Sequence, residues 1–212
     1  MSGKIILVGG EKGGTGKSTI SENLAAHFAV EGIDVMLIDA DKQGTAAKWV
    51  ERRNENNLTK VHCTQKLGDV RSTALDLAER YEVVVIDAGG RDSRELRSAM
   101  LAADLLLVPI RASQNDLETL PYVEELVLQA RIINPNLVAK AVLSMAPSNT
   151  MINEVAEAKD LLKDFEVFEL ADTIVTDRKI YRDAATDGKG VVEMGNGKAK
   201  AEIQLLAEEV LA

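Results

Sequence analysis

One glycine-rich segment, residues 9–19, constrains the fold of this chain more than any other feature. It reads GGEKGGTGKST and lies between an apolar run, Lys4–Val8, and a predicted helix, Ser18–Glu31. Glycines let the backbone approach phosphate oxygens closely, and successive N–H groups at a helix start form an anion-binding site. The segment therefore predicts a strand, a phosphate-binding loop and a helix in succession. The alternative, a glycine-rich turn with a chance lysine, does not account for the complete Gly-Lys-Ser-Thr ending.

Side chains at the end of this loop have the chemistry that a nucleoside triphosphate requires. Lys17 places a positive charge where β- and γ-phosphates bind, and the Ser18 hydroxyl can ligate Mg²⁺. Thr19 adds a hydroxyl near the α-phosphate. We therefore expect ATP or ADP with Mg²⁺ as the cofactors, and the nucleotide is expected to contact Gly13, Gly14, Thr15, Gly16, Lys17, Ser18 and Thr19.

The rest of the chain alternates short apolar runs with longer stretches of helical periodicity. The predicted strands are Lys4–Val8, Val35–Ile38, Val61–Thr64, Val83–Ile86, Leu105–Ile110, Val138–Ser144 and Phe165–Leu170. The predicted helices are Ser18–Glu31, Thr45–Asn54, Asp69–Arg80, Ser93–Ala103, Leu117–Ile133, Asn153–Lys163, Arg178–Thr186 and Lys198–Leu211. This alternation predicts one α/β domain, residues 1–212, built as a single doubly wound, mostly parallel sheet with helices on both faces. Ligands of such sheets bind beyond the carboxyl ends of the strands.

Composition excludes several classes of protein. With one cysteine, Cys63, the chain cannot form an internal disulfide or hold an iron–sulfur cluster unaided. The short apolar run at the N-terminus passes directly into the glycine loop, unlike a signal peptide, and no apolar stretch reaches the length of a membrane span. We therefore expect a cytoplasmic protein. Its formal net charge of −9 disfavours general DNA binding unless a local basic patch exists.

Carboxylates follow two of the predicted strands. Asp39 and Asp41 follow Val35–Ile38, and Asp87 ends the β-branched run Val83–Ile86. A buried strand that delivers one carboxylate towards a phosphate loop is typical of a Mg²⁺ site, which predicts this role for Asp87. Asp39 and Asp41 have an alternative role as caps of the helix that follows them.

The loop departs from the standard phosphate-loop spacing, because Glu11 replaces an expected glycine and Lys12 precedes the paired glycines. The resulting K-G-G-x-G-K-[ST] pattern resembles the deviant Walker A motif of the ParA/MinD family of P-loop ATPases. Among these, the chain looks most like the small plasmid-partition ParA proteins. The resemblance implies hydrolysis of ATP to ADP and phosphate by an ATP-dependent homodimer.

The same resemblance implies roles for individual residues. The catalytic residues would be Lys12, Lys17 and Asp41, with Lys12 reaching phosphates held by the partner subunit and Asp41 positioning the attacking water. The metal would be held by Ser18 and Asp87, with Asp39 near its coordination shell. These roles are expectations carried over from the motif.

The resemblance also implies that the protein uses ATP to position a cargo. The main expectation is segregation of plasmid or chromosomal DNA together with a small centromere-binding adaptor protein. An alternative is a protein cargo, such as a division regulator, a chemoreceptor array or a microcompartment, because the ATPase residues would be the same. A biosynthetic ATP-dependent ligase on this fold is a further alternative, which Lys12 and the Asp-x-Asp pair disfavour. The acidic C-terminal helix argues against membrane binding.

Direct DNA binding by the chain is left open. Its best candidate patch is Arg178, Lys179 and Arg182, because the two arginines are four residues apart on a predicted helix. Contacts to phosphates would be independent of base sequence, and the protein would then associate with the nucleoid. In the opposing interpretation these cations balance nearby acids. Lys198 and Lys200 are the next candidates.

Overall fold

Seven parallel strands form one sheet in the computed structural model, which describes residues 2–90, 93–147, 158, 160–163 and 165–212. The strands are β1 (Lys4–Val8), β2 (Val35–Ala40), β3 (His62–Gln65), β4 (Val83–Ala88), β5 (Leu105–Ile110), β6 (Val138–Pro147) and β7 (Phe168–Asp177). Their order across the sheet is β3-β2-β4-β1-β5-β6-β7. Every neighbouring pair is parallel, so the carboxyl ends of all these strands lie along one edge.

Helices cover both faces of the sheet. They are α1 (Lys17–Val30), α2 (Thr45–Glu55), α3 (Arg71–Ala78), α4 (Arg94–Met100), α5 (Gln114–Leu117), α6 (Leu120–Arg131), α7 (Lys179–Thr186) and α8 (Gly197–Leu211), with a short 3₁₀ helix at Val191–Glu193. Ile5 and Leu7 of β1 belong to one buried cluster, and Ile6 and Val8 belong to the other. Because successive residues of a strand point to opposite faces, this apolar strand is buried on both. The predicted doubly wound α/β fold is confirmed, while the single-domain boundary stays a prediction.

The strand order brings three loops together at the carboxyl edge. β4 lies between β1 and β2. Asp39 of β2 is in register with Asp87 of β4, and Asp87 is in register with Val8 of β1. The glycine-rich loop that follows β1 therefore begins beside the carboxylates that the sequence assigned to a binding site.

One predicted helix, Leu117–Ile133, is divided in the structure. Its residues form the end of α5 and the whole of α6, which begins at Leu120 with Pro121 in its first turn. Proline fits a first turn, where its missing N–H has no helical partner, and it disrupts a helix interior. The break was therefore readable from the proline.

The largest difference between a predicted and an observed strand concerns β7, which was predicted at Phe165–Leu170. Strand β7 runs from Phe168 to Asp177 at the edge of the sheet, where buried and exposed residues mix along it. Its apolar signal is therefore weak, and only the first residues of the strand fall within the predicted range. The predicted helix Asn153–Lys163 lies mostly outside the described residues. Among the described helices, none is long and apolar enough to cross a membrane.

Candidate functional site

The glycine-rich loop connects β1 to α1 and borders an open cavity. Gly14 and Gly16 have φ angles of 75° and 87°, a left-handed conformation that residues with side chains rarely adopt. Gly16 is also the N-cap of α1, so the free amides of the first helical turn lie at the end of the loop. The cavity has a volume of about 300 Å³ and is lined by Gly13, Gly14, Gly16, Lys17, Ser18, Thr19, Asp41, Gly90 and Met145.

Lys17 is the cation of this cavity. The residue is 7% exposed, and its ammonium donates a hydrogen bond to the Lys12 carbonyl. Burial lowers the pKa of Lys17, and three negative charges oppose that shift, those of Asp87, Asp41 and Asp116. A largely buried ammonium that is held by a neutral carbonyl would be stabilised by a phosphate group.

Asp87 is the second-last residue of β4, at the carboxyl end of the strand. Its surroundings are those of a metal ligand. The residue is buried, and Oδ1 accepts a 3.1 Å hydrogen bond from the Ser21 hydroxyl of α1. Oδ2 is also buried and has no hydrogen-bond partner of normal geometry among the described residues. Burial raises the pKa of Asp87 to about 7, and the charge of Asp39 adds to the shift. The hydroxyls of Ser18 and Ser21 and the ammonium of Lys17 oppose it.

These surroundings fit a divalent cation. A buried carboxylate oxygen without a partner is costly, and a bound Mg²⁺ would both coordinate it and favour its charged form. Proteins usually hold Mg²⁺ with one or two carboxylates, and phosphate oxygens and waters complete the shell. The Ser18 hydroxyl is close enough to lower the pKa of Asp87, so these two predicted metal ligands are neighbours.

The carboxylate of Asp39 accepts hydrogen bonds from backbone amides in this structure. Its Oδ2 accepts a 2.8 Å hydrogen bond from the Ala47 amide in the first turn of α2, and its Oδ1 accepts one of 3.1 Å from the Asp41 amide. Burial raises the pKa of Asp39, and these amide contacts oppose the shift. Both oxygens are thus engaged, which supports the helix-capping alternative that the sequence left open. The predicted place of Asp39 near the metal shell stays a prediction.

Asp41 lines the cavity and is held at its edge. Its Oδ1 accepts a 2.9 Å hydrogen bond from the Gln43 amide. A Cβ atom added to Gly89 would lie 3.0 Å from Asp41 Oδ2, and one added to Gly90 would lie 3.1 Å from the backbone of Lys12. The two glycines after β4 therefore let the carboxylate of Asp41 and the phosphate loop approach the end of that strand.

Lys12 is placed at the same edge of the cavity. Its carbonyl accepts the hydrogen bond from Lys17, and the residue is partly exposed. Its backbone lies against Gly90. The predicted reach of its side chain into a partner subunit stays a prediction.

Two side chains that contact the phosphate loop were missed by the sequence analysis. Arg111, the first residue after β5, donates a hydrogen bond from Nη2 to the Gly14 carbonyl. Ser144 of β6 donates a 2.6 Å hydrogen bond to the Thr15 carbonyl. Arg111 could have been found from the rule that sites lie beyond the carboxyl ends of parallel strands. No sequence signal marks Ser144.

A second, smaller cavity of about 70 Å³ adjoins the loop on the side of β7 and α7. Its lining is mostly apolar and includes Gly16, Thr19, Ile20, Ser144, Met145, Val175, Thr176, Asp177, Tyr181 and Arg182. Gly16, Thr19 and Met145 line both cavities. An apolar recess that is continuous with a phosphate site suits a flat aromatic base.

The predicted DNA patch is arranged differently from the expectation. Arg178 is not part of the helix: it has extended backbone before α7 and forms an ion pair of 2.7 Å with Glu202. The hydrogen bonds that the Arg178 guanidinium donates to Glu202 raise the pKa of Arg178. The helix-face argument for the two arginines was therefore wrong, because Arg178 turns towards α8.

The other two members of the patch are exposed and also paired with acids. Lys179 lies 2.8 Å from Asp183, and Arg182 lies 2.7 Å from Asp177. Each cation of the patch therefore has its own carboxylate, as the opposing interpretation of the sequence held. DNA binding by these residues stays a prediction.

The fold and the site together define a nucleotide-binding P-loop ATPase with its site at the carboxyl edge of a parallel sheet. A family profile described as ATPase MipZ matches residues 4–156. The chain belongs to this family, within the ParA/MinD group that the loop motif indicated. It is an ATPase with ATP and Mg²⁺ as cofactors, as predicted.

Two relatives extend over nearly the whole chain. The maintenance of carboxysome distribution protein A of Halothiobacillus neapolitanus is 30% identical over 211 residues, which cover 97% of this chain and 95% of the relative. The sporulation initiation inhibitor protein Soj of Bacillus subtilis is 26% identical and covers 99% of both chains. The chain is therefore similar to proteins with different named roles.

Solved structures agree with the fold. The ATP complex of Cyanothece McdA superposes with a TM-score of 0.78 at 16% identity and covers 99% of this chain and 96% of that chain. The cell division ATPase MinD of Pyrococcus furiosus gives a TM-score of 0.77 at 18% identity and covers 99% and 100% of the two chains. At these identities the likeness shows the fold alone.

Proposed function

We propose that this protein is a ParA-type positioning ATPase whose cargo is a protein assembly. The single observation that carries the site is the cavity that joins Lys17, Ser18 and Asp41 beside the buried carboxylate of Asp87. The similarity to a carboxysome distribution protein over nearly all of both chains supports a protein assembly as the cargo. The alternative cargo of the sequence analysis is thus better supported than plasmid segregation.

In this proposal the phosphates lie along the loop from Gly13 to Thr19. Backbone amides and the N-terminus of α1 stabilise their negative charge. Lys17 leaves the Lys12 carbonyl and binds the β- and γ-phosphates. Ser18 and Asp87 would hold Mg²⁺, which would supply positive charge to neutralise the transferred phosphoryl group. Catalysis then consists of positioning and charge stabilisation, without a covalent intermediate.

Asp41 is proposed to hold the attacking water. The Gln43 amide fixes one of its oxygens, and the other faces Gly89 at the edge of the cavity. Asp39 supports this arrangement through its hydrogen bond from the Asp41 amide. Asp41 thus has a fixed carboxylate at the place where a nucleophile would approach.

The base is proposed to occupy the smaller cavity. This recess adjoins the phosphate loop at Gly16 and Thr19, and Met145 and Val175 supply apolar surface. Apolar walls with a few polar groups are typical of nucleotide base sites. The two cavities together would then hold one ATP molecule.

Dimer formation is the second part of the proposal. Lys12 is partly exposed, and a phosphate held by one subunit could be contacted by the Lys12 ammonium of a second copy. ATP would then join two subunits, and hydrolysis would release them. An adaptor protein would connect the dimer to its cargo. The dimer would act in the cytoplasm, and on the nucleoid if it also binds DNA.

DNA segregation is a second candidate function. It is favoured by similarity to the chromosome-partitioning ATPase Soj of Thermus thermophilus, which is 26% identical over 98% of this chain. In that case the adaptor would be a small centromere-binding protein. The ATPase residues are the same for both candidates, so the cargo must be tested in cells.

Light scattering tests the ATPase switch directly. The wild-type chain should double in mass with ATP and remain a monomer with ADP, whereas Lys12→Ala should remain a monomer with both. Arg80→Gln, an exposed arginine in an ion pair at the end of α3, is the control. A wild-type chain whose mass did not respond to ATP would contradict the proposed dimer.

Deletion of the gene in its host tests the cargo. For a protein cargo, fluorescent foci of that assembly should lose their regular spacing while chromosome and plasmid inheritance remain normal. An increase in cells without DNA, or in plasmid loss, would favour the second candidate. An Asp41→Ala allele should reproduce the deletion because it would not complete the ATP cycle.

A further inference from the structure

Two side chains that do not line the larger cavity donate hydrogen bonds to carbonyl groups of the phosphate loop. Arg111 Nη2 donates to the Gly14 carbonyl, and Ser144 Oγ donates to the Thr15 carbonyl at 2.6 Å. These are consecutive residues of the loop, and their partners come from the ends of two adjacent strands, β5 and β6. The contacts therefore fix two successive peptide groups.

Because of peptide geometry, these contacts also fix the orientation of the neighbouring amide groups. In a planar trans peptide, the carbonyl of one residue and the N–H of the next point in opposite directions. Fixing the carbonyls of Gly14 and Thr15 therefore fixes the N–H groups of Thr15 and Gly16 on the other side of the loop. Amides of this kind are the groups with which a glycine-rich loop binds phosphate.

Ser144 lies on the same face of β6 as Val142, which packs with Ile20 of α1, and the strand becomes irregular at the next residue. Met145 has a φ of 52°, which is unusual for a residue with a long side chain. Its strand shifts register against β7 between Ser144 and Ala146. In a regular strand, neighbouring side chains point to opposite faces. Here Ser144 bonds the loop, and Met145 lies 3.6 Å from the Cβ position of Gly16.

Strain of this type persists only where the surrounding structure enforces it, and it is frequent at binding sites. Ser144 is also 1% exposed, so its hydroxyl has few alternative partners. The 3.4 Å contact to the Ile110 carbonyl is longer than the contact to Thr15. Strand β6 thus presents a buried donor to the loop.

We propose that Arg111 and Ser144 are positioning residues that hold the phosphate loop in its binding shape before the nucleotide arrives. The inference rests on the proposed nucleotide site. Neither residue needs to touch the nucleotide: each holds a carbonyl outward so that the next amide faces the phosphates. By contrast, Lys17 holds the Lys12 carbonyl only until it turns to the phosphates.

This role predicts a loss of affinity that arises at the phosphates, although Ser144 also lines the smaller cavity proposed for the base. Ser144→Ala should weaken binding of a fluorescent ADP analogue about five- to tenfold, as expected when one hydrogen bond is lost. Inorganic pyrophosphate, measured as a competitor, should lose affinity by the same factor, because it has no base. The turnover at saturating ATP should stay within about twofold, because the chemical step uses other residues.

Arg111 is tested with two variants because it carries a charge as well as a donor. Arg111→Gln should weaken both probes at low and at moderate salt. Arg111→Lys restores the charge and one donor, so it should recover part of the affinity. If Arg111 acted only as a distant charge, Arg111→Lys would bind like the wild type and the loss in Arg111→Gln would vanish with salt.

Two controls separate positioning from a general loss of stability. Ser98→Ala removes a hydroxyl that bonds Asp69 and the amides of Val70 and Arg71, far from the loop in the chain. Arg80→Gln removes an exposed arginine. Both control variants should leave the affinities for the ADP analogue and for pyrophosphate within about twofold of the wild-type values. This should hold even if a control variant lowers the melting temperature as much as Ser144→Ala.

The outcomes distinguish the inference from the function on which it rests. Unchanged affinities in Ser144→Ala and Arg111→Gln, or a fall in turnover with unchanged affinities, would overturn the positioning role and leave the nucleotide site standing. Equal binding of the probes by the wild type and by Lys17→Ala would instead contradict the nucleotide site. Arg111 is exposed, so its variants are expected to fold even if Ser144→Ala does not.

Discussion

Two groups of basic side chains lie beside the cavities, and the structure holds them in opposite ways. At the phosphate loop, Lys17 and Arg111 donate to backbone carbonyls, and neither forms an ion pair within the described parts of the chain. Around α7, Arg178, Lys179 and Arg182 are each paired with a carboxylate. A cation on a carbonyl can move to a phosphate without separating from a full negative charge. A cation in an ion pair must give up that partner first.

The difference shows that a count of lysines and arginines does not locate an anion site. The patch around α7 has the higher local density of basic residues. What distinguishes the two groups is the atom to which each cation is bonded. The contrast between Lys17 and Lys179, and the roles of the carboxylates beside the phosphate loop, predict effects of different size, and the largest is expected at Asp41.

Asp41→Ala should lower the ATP turnover number by about two to four orders of magnitude, the usual cost of losing a group that assists the nucleophile. ATP binding should persist, because the phosphate contacts come from the loop. Phosphate release and a fluorescent-nucleotide titration measure the two quantities. Turnover at the wild-type rate would show that another residue orients the water.

Lys17→Ala should weaken ATP binding by about 10- to 100-fold, since charge-assisted hydrogen bonds contribute about 1.5–3 kcal/mol. Isothermal titration calorimetry with ATP and Mg²⁺ measures the affinity. Lys179→Ala is the matched control, because it removes a lysine whose charge Asp183 already balances. Similar losses in the two variants would break the comparison between the two groups of cations.

The metal-free protein should become less stable as the pH rises from about 4 to about 7. Asp87 keeps its proton in the folded state up to a pKa of about 7, whereas an unfolded aspartate releases it near pH 4. The folded state therefore binds more protons in this window, and raising the pH favours unfolding. Melting temperatures in EDTA at pH 5, 6, 7 and 8 measure the slope.

A substitution at Asp87 and the addition of Mg²⁺ test whether Asp87 is the source of this pH dependence. Asp87→Asn should reduce the slope, and Mg²⁺ should restore stability at pH 8 in the wild type only. Burial also raises the pKa of Glu22, so part of the slope should survive in Asp87→Asn. An identical slope in both proteins would remove Asp87 as its source.

The smallest effect is expected at the patch around α7. Lys179→Ala should change retention of non-specific duplex DNA by less than about twofold, because exposed ion pairs contribute about 1 kcal/mol or less and this charge is already balanced. Asp183→Asn frees the same ammonium and should tighten any retention at low salt. Gel shifts with ATP at two salt concentrations measure both. Complete loss of DNA binding in Lys179→Ala would show that the paired lysine is nonetheless the contact.

The parts of the site that were predictable lie in continuous sequence. The loop at residues 9–19 and strand β4 with Asp87 each carry their pattern within a few neighbouring residues, so spacing was sufficient to predict that they lie together. Asp39 shows the limit of this reasoning, because a cap and a metal ligand require the same residue type at the same place. The hydrogen bonds that Asp39 accepts from the Ala47 and Asp41 amides support the cap, and they could be seen only in the structure.

The parts that were not predictable depend on contacts between distant segments. Glu202 neutralises Arg178 from 24 residues further along the chain, in another helix. Ser144 donates to the Thr15 carbonyl across 129 residues of sequence. Neither pattern nor composition records such a contact, because both describe neighbours in sequence.

The single direction of the seven strands has a consequence for how proteins of this type diverge. Every loop named in the site follows the carboxyl end of a strand, so the loops at the amino ends of the strands line neither of the two cavities in the described part of the chain. Mutations can accumulate in those loops and on the outer faces of the helices without moving the phosphate loop. Proteins with this architecture can change the cargo that they bind while they keep the same ATPase site. Relatives named for carboxysome distribution and for sporulation can therefore share one architecture with this chain.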